Sequence, residues 1–377
     1  MDKIPHICGA YLSFATQEHM DALKIQAKSV GIKLCKSTFP NNDFSDKNYR
    51  TSRFNLNKSY ISKESLVSHF FTTKSKAMFL QSPYVEHYPD WLNGLDREIS
   101  FAYSGYSISL ADYYPGTYGS SIVKDSRFLL AGSQDELNGY RVLAQKDAVV
   151  LLTGNPLMFQ LRKKIAENQE HSKRSVRILW APLWTKSWID ASDGFGRWEI
   201  ALESIHIFAR KNPDKEIVFR PHPLLRAAIE AELGTEKSLK NRESRTTSES
   251  HSFKILMKEL REFLKLKNVN MSKYTMLQDV YRSDVLITEG LSIIAYWATT
   301  GKPILVLRDS ESPKFNTEGE MLLEKIDQAN EIPQILTWLN SNSRSTVLDV
   351  NRALILLSDS IHPTFIKSPL EMIFEYM

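Results

Sequence analysis

Ser283-Asp284-Val285-Leu286-Ile287-Thr288-Glu289-Gly290-Leu291-Ser292 is an apolar run that stops abruptly at polar and glycine residues. Phe219-Arg220-Pro221-His222-Pro223 closes a second apolar run in the same manner. In an open parallel sheet such boundaries mark the carboxyl ends of strands, the edge at which ligands bind. One end carries Arg220 and His222, the other Thr288, Glu289 and Ser292. The pair sets the fold reading as α/β, and its side chains suit a bound diphosphate.

Outward from these ends, apolar runs alternate with amphipathic stretches. Strands are expected at residues 4–14, 32–35, 76–80, 99–103, 127–131 and 148–152 in the first half, with helices at 16–30 and 134–145. In the second half the expected strands are 176–181, 216–219, 268–271, 285–288 and 304–307. Helices are expected at 197–211, 253–266 and 275–282, with another opening at Ser292 and mostly helix from 331 on. This alternation is the signature of parallel βαβ units. The polar and basic stretch 166–175 reads as a linker. The division expected is therefore 1–167, an acceptor-side domain, 175–345, a donor-binding domain, and 346–377, C-terminal helices. Residues 37–63 and 234–252 are polar and read as loops.

Composition restricts the class. A chain of 377 residues exceeds one ordinary core and suggests two domains. With 42% hydrophobic and 24% charged residues it is ordinary globular protein. The formal charge of +4 is too weak for a nucleic-acid surface and favours anionic substrates. The two cysteines, Cys8 and Cys35, lack metal-ligand spacing and read as reduced thiols of a cytoplasmic protein. Residues 285–307 are the most membrane-like, but Glu289, Gly290 and Gly301-Lys302-Pro303 break them into strand, helix and strand. The basic residues of 237–245 would serve peripheral attachment to a membrane or a solvated loop.

The candidate site follows from helix-terminus chemistry. Free N–H groups and the dipole at a helix start favour phosphate. Gly290 permits close backbone approach, and Ser292 can cap the helix and contact phosphate. Glu289 can accept from ribose or sugar hydroxyls. Pro221 and Pro223 stiffen the loop around His222. Arg220 can grip phosphate through two nitrogens, and a protonated His222 would neutralise a leaving diphosphate. Asp112 is the candidate base, with Asp190 and Asp193 as further carboxylates of the same kind. Tyr103, Tyr106, Tyr113, Tyr114 and Tyr118 could stack on an acceptor sugar or finish a sheet edge. No metal constellation and no cofactor motif is present in the sequence.

Strand–Arg-Pro-His-Pro, then Ser-Asp-Val-Leu-Ile-Thr-Glu-Gly-Leu-Ser and Gly-Lys-Pro-Ile-Leu, resemble the CDP-glycerol glycerophosphotransferase family. Ile178-Leu179-Trp180-Ala181-Pro182-Leu183-Trp184, Thr153-Gly154-Asn155-Pro156, Gln81-Ser82-Pro83-Tyr84 and Ala102-Tyr103-Ser104-Gly105-Tyr106 extend the likeness over residues 76–324. The resemblance implies a GT-B architecture, two Rossmann-like domains facing a central cleft, and synthesis of teichoic-acid or capsular polymers. It implies His222 and Arg220 on the donor diphosphate and Thr288 and Ser292 on phosphate. Departures stand at Glu289, where the family has Asp, at Leu291, where it has Ser, and at Tyr296, where it has an acid. The N-domain His-Gly pair of the family is absent from Tyr103-Ser104-Gly105-Tyr106. The function expected is transfer of a polyol phosphate from a CDP-activated donor to a glycan or lipid-linked acceptor. Sugar transfer from a nucleotide sugar and a non-catalytic nucleotide-binding relative are the alternatives. Lys302-Pro303-Ile304-Leu305-Val306-Leu307-Arg308-Asp309 is also similar to UDP-N-acetylglucosamine 2-epimerases.

Overall fold

The computed structural model describes residues 6–11, 22, 25, 33–38, 78–80, 99–105, 107–112, 118–167, 175–183, 198–223, 225–226, 229–230, 247–309, 312, 314–343 and 351–362. The chain divides into two compact units: residues 1–163, 315–318 and 358–377, and residues 164–314 and 319–357. Of the expected linker 166–175, Ala166 and Glu167 belong to the helix Pro156–Glu167, and 168–174 lie outside the described residues.

The first unit is built on β1 (His6–Tyr11), β2 (Lys33–Thr38), β3 (Met78–Leu80), β4 (Phe101–Ser104), β5 (Phe128–Ala131) and β6 (Val149–Leu152). They form one parallel sheet in the order β2-β1-β3-β4-β5-β6. α1 (Ser121–Lys124), α2 (Gln134–Leu143) and α3 (Pro156–Glu167) follow β4, β5 and β6. All six strands overlap the apolar runs that predicted them, but β2 runs on to Thr38, so the expected loop 37–63 is corrected at Ser37 and Thr38; 39–63 lie outside the described residues. Cys8 and Cys35, distant in sequence, are register partners on β1 and β2.

Met78, Leu80, Phe101, Tyr103 and Leu129 pack with Leu137 and Tyr140 of α2. Tyr103 and Tyr118 both meet the Tyr140 ring edge-on, at centroid distances of 6.0 and 5.4 Å. These two tyrosines of the aromatic-rich stretch are therefore core. Tyr106, Tyr113 and Tyr114 lie outside the described residues. Gly139 is demanded by this packing, because a Cβ there would come within 2.9 Å of the Tyr118 ring.

The second unit carries β7 (Arg177–Ala181), α4 (Trp198–Lys211), β8 (Glu216–Phe219), α5 (Thr247–Leu264), β9 (Val269–Met271), α6 (Met276–Arg282), β10 (Val285–Thr288), α7 (Leu291–Ala298) and β11 (Ile304–Leu307). α8 (Thr317–Leu323), β12 (Asp327–Ala329), α9 (Ile332–Asn342) and α10 (Arg352–Ile361) complete the described elements. The parallel sheet runs β12-β11-β10-β7-β8-β9. β7, β10 and β11 are buried at every residue. Strands covered on both faces need unbroken apolar runs, and Val-Leu-Ile-Thr and Ile-Leu-Val-Leu supply them. α5 starts at Thr247, so the expected loop 234–252 is corrected over 247–252; 234–246 lie outside the described residues.

Trp198, Leu202, Ile205 and Phe208 of α4 pack on one face of this sheet with Trp180, Phe219 and Phe263. Trp180 lies tilted on Phe219 at 4.6 Å and meets Phe263 edge-on at 5.6 Å. Trp180→Ala should lower stability by about 3–5 kcal/mol, because so large a buried side chain leaves a cavity its neighbours refill only in part. Urea denaturation checks this, and a loss below about 1 kcal/mol would mean the core relaxes around the site.

Gly301-Lys302-Pro303 has a structural explanation. Gly301 adopts φ 64°, a left-handed conformation costly for residues with a Cβ. Lys302 then donates through Nζ to the Ser283 and Tyr281 carbonyls at 2.6 and 2.9 Å, capping the end of α6. Among the described residues no helix is long and apolar enough to cross a membrane, and the membrane-like stretch is the strand, helix and strand β10, α7 and β11.

Candidate functional site

The chain builds the second sheet outward in two directions, β7 to β9 one way and β10 to β12 the other. Ligands of open α/β sheets bind where the order reverses, in the crevice beyond the carboxyl ends of the two diverging strands. That crevice falls between β7 and β10, at Pro182 and Leu183 on one side and Glu289 and Gly290 on the other. The β8 end, Arg220 to His222, lies beside it.

Hydrogen bonds stitch the three strand ends together. Thr288 Oγ1 donates to the Ala181 carbonyl at 2.6 Å and accepts from Gly290 N at 2.7 Å. Glu289 accepts from Leu183 N at 2.9 Å, spanning the crevice. His222 N donates to the Pro182 carbonyl at 2.9 Å, and Arg220 N donates to the Trp180 carbonyl at 2.8 Å.

Several expected roles change in this geometry. Thr288 is fully buried and its only hydroxyl proton is already donated, so it scaffolds the turn and does not bind phosphate. Gly290 serves the same turn: a Cβ would sit 3.0 Å from Thr288 Oγ1 and 3.2 Å from Ile293 Cγ2. Gly290 is also the N-cap of α7, with no side-chain capping bond, so Ser292 does not open the helix but sits in its first turn. Tyr296 is buried in the core. Burial brings His222 down to about 4, so its imidazole is neutral near pH 7 and the expected protonated form is not the resting state.

Arg220 is held from inside. Its Nη1 donates to Asp279 Oδ2 at 2.9 Å, to the Tyr274 carbonyl at 2.9 Å and to Ser272 Oγ at 3.3 Å. Asp279 is completely buried, whereas the Arg220 side chain keeps 21% exposure.

Asp112 belongs to the first unit, exposed beside the antiparallel bridge between Ala111 and Phe315. Asp190 and Asp193 lie outside the described residues. Among the described residues no group of three or more His, Cys, Asp or Glu could hold a metal ion.

The first unit also contains buried titratable groups that sequence reasoning passed over. Ser133-Gln134-Asp135-Glu136 has the spacing of a capping box. Ser133 Oγ does accept from Glu136 N at 3.3 Å, but the Glu136 carboxylate reaches past the cap to Gly132 N at 2.7 Å and Ser109 N at 3.2 Å. Asp135 and Glu318 cap each other: Asp135 N donates to Glu318 Oε1 and Glu318 N to Asp135 Oδ2, both at 3.0 Å. Burial raises Glu136 and Glu318 to about 7, and each bears a neighbouring carboxylate besides. His362, wholly buried against the Gly132 backbone, is brought down by burial to about 3.

No protein-family model and no curated protein matches the sequence. Solved structures do. UDP-GlcNAc 2-epimerase from Neisseria meningitidis, bound to UDP-GlcNAc, is 15% identical over 99% of both chains, with a TM-score of 0.55. The Methanocaldococcus jannaschii UDP-GlcNAc 2-epimerase, in complex with UDP-GlcNAc and UDP, is 11% identical over the whole of both chains, with a TM-score of 0.57. The wall teichoic acid polymerase TagF is 11% identical over 95% of this chain and 84% of its own, with a TM-score of 0.54. Identities this low speak for architecture alone, and the two parallel-sheet units are those of the GT-B fold.

Proposed function

We propose that this protein is a cell-envelope transferase that binds a nucleoside-diphosphate-linked donor at the β7–β10 crevice and passes its polyol phosphate to a glycan or lipid-linked acceptor. The carrying observation is the crevice itself: three strand ends tied together at the point where strand order reverses, with Arg220, His222 and the start of α7 around it. A TagF-like fold and the resemblance to CDP-glycerol transferases support a CDP-activated donor.

In this reading the acceptor hydroxyl oxygen attacks the phosphorus bearing the polyol. The bond from that phosphorus to the bridging oxygen breaks, and CMP leaves. The acceptor proton passes to a carboxylate, for which Asp112 is the candidate. His222 donates a hydrogen bond to the leaving phosphate and takes up a proton as negative charge accumulates there. Arg220 and the free amides of α7 hold the diphosphate, and Glu289 takes a ribose or sugar hydroxyl.

A second reading is favoured by a specific pair of observations. Structures of the same fold hold UDP-GlcNAc, and this chain lacks the family's N-domain histidine. A nucleotide sugar would then be the donor and its anomeric carbon the point of attack.

A thermal-shift panel of CDP, CMP, UDP, GDP and CDP-glycerol separates the readings. A ligand at 100 times its Kd adds about 2.7 kcal/mol to the stability of the unit it binds. Stabilisation by cytidine diphosphates, followed by CMP release from CDP-glycerol, supports polyol-phosphate transfer. A uridine preference moves the donor to a nucleotide sugar. No response to any nucleotide overturns the donor site.

A further inference from the structure

Arg220 leaves the β8 end beside His222, yet its guanidinium is anchored in the turn between β9 and α6. Nη1 alone meets Asp279 Oδ2, Ser272 Oγ and the Tyr274 carbonyl. Ser272 Oγ itself donates to Asp279 Oδ2. Ser272 also takes Arg226 Nη1 on its carbonyl at 3.4 Å, and Arg226 N donates to the His222 carbonyl at 2.8 Å. The loop bearing His222 and the turn bearing Ser272 are thus joined at two places.

A fully buried carboxylate is costly to keep unless it is paired and hydrogen-bonded. Here Asp279 meets one edge of the guanidinium fork only. The fork is planar with five donors, so fixing one edge fixes the direction of the other. The remaining edge, Nε and Nη2, has no partner among the described residues, and the side chain reaches the surface with 21% exposure. An arginine held on one side and open on the other loses little freedom when it grips an anion.

We propose that Asp279, seconded by Ser272, is a positioning residue for anion recognition: it clamps the inner edge of Arg220 so that the outer edge stands ready for the phosphates of the donor. Asp279 touches no substrate itself. The inference rests on the donor reading above and adds to it the residue that orients the phosphate-binding arginine.

Titration calorimetry of UDP, CDP and inorganic pyrophosphate against wild type, Asp279→Asn, Arg220→Gln and the double variant tests it. Each single variant should weaken binding about tenfold or more, the scale of one charge-assisted hydrogen bond. The double variant should bind no more weakly than Arg220→Gln alone, because Asp279 acts only through Arg220. A merely structural Asp279 gives additive losses, and additivity, or Asp279→Asn binding as wild type does, overturns the proposal. Should Asp279→Asn fail to fold, Ser272→Ala removes one contact without stranding a charge. It should weaken binding two- to fivefold, again only while Arg220 is present. If wild type binds none of the three probes, the donor reading falls and the inference with it; if it binds them without coupling, the inference alone falls.

Discussion

If the protein is the transferase proposed, His222→Ala should lower the rate of transfer by about 100- to 1,000-fold, the range seen when one preorganised donor to a developing charge is removed. The expectation comes from where His222 stands and in what state. Its backbone is fastened to the β7 end through Pro182, and prolines flank it on both sides, so the imidazole is held before donor arrives. Burial keeps it neutral, with a value of about 4 in the free protein. A diphosphate brought against it supplies the negative charge that makes protonation favourable. The pH profile follows: kcat/KM, which reports the free enzyme, shows no limb near 6.5 from this residue. A limb confined to kcat marks His222 in the donor complex. Because the side chain contributes at a loop, the melting temperature of His222→Ala should stay within a few degrees of wild type. Near-normal turnover in that variant would falsify the assignment.

The second large effect is on stability in the first unit. Glu136 and Glu318 hold protons in the folded protein up to about pH 7, whereas unfolded they release them near 4.5. The folded state therefore binds more protons between these values, and its stability falls as pH rises from about 4.5 to 7. Taken alone, each carboxyl accounts for about 3 kcal/mol over that interval. His362 acts in the opposite sense. It stays neutral in the fold down to about 3 and is protonated below 6.5 when unfolded, so it removes stability as pH falls.

Between about pH 4.5 and 6.5 two carboxyls against one imidazole leave a net loss of stability with rising pH, and a steeper one follows from 6.5 to 7, whereas from about 3 to 4.5 His362 alone acts and stability rises with pH. Glu318→Gln leaves Glu136 opposed by His362, and the profile should flatten between pH 5 and 6.5. Amide exchange in β5 and α2, read as opening free energy against pH, checks both curves. Equal slopes in wild type and Glu318→Gln would show that the proton is held elsewhere.

The buried strands were legible residue by residue. Val285–Thr288 and Ile304–Leu307 have the bounds their apolar runs predicted, because a strand covered on both faces is close to apolar throughout and the residues that stop it are conspicuous. β12 was not legible: at the sheet edge Asp327 and Gln328 are exposed, and only its backbone pairing with β11 makes it a strand. Nor did Thr247 to Ser252 reveal a helix, since they lack an apolar period.

For the site, local sequence located the strand ends at Arg220, His222, Glu289 and Gly290 but not what their side chains do. A threonine at a strand end has one proton to give, and whether a phosphate or the Ala181 carbonyl receives it depends on the neighbouring strand. Asp279 is 59 residues from Arg220, and Glu318 is 183 from Asp135. Sequence by itself determined the α/β alternation, the parallel strands and the loops that bear the candidate chemistry, because burial and backbone pairing impose periodicities that one dimension records. Tertiary structure alone decided strand order, the reversal between β7 and β10, the clamp on Arg220 and the carboxyls that keep their protons to neutral pH. Those depend on which distant groups share a low-dielectric interior, and proximity of that kind leaves no local pattern in a chain.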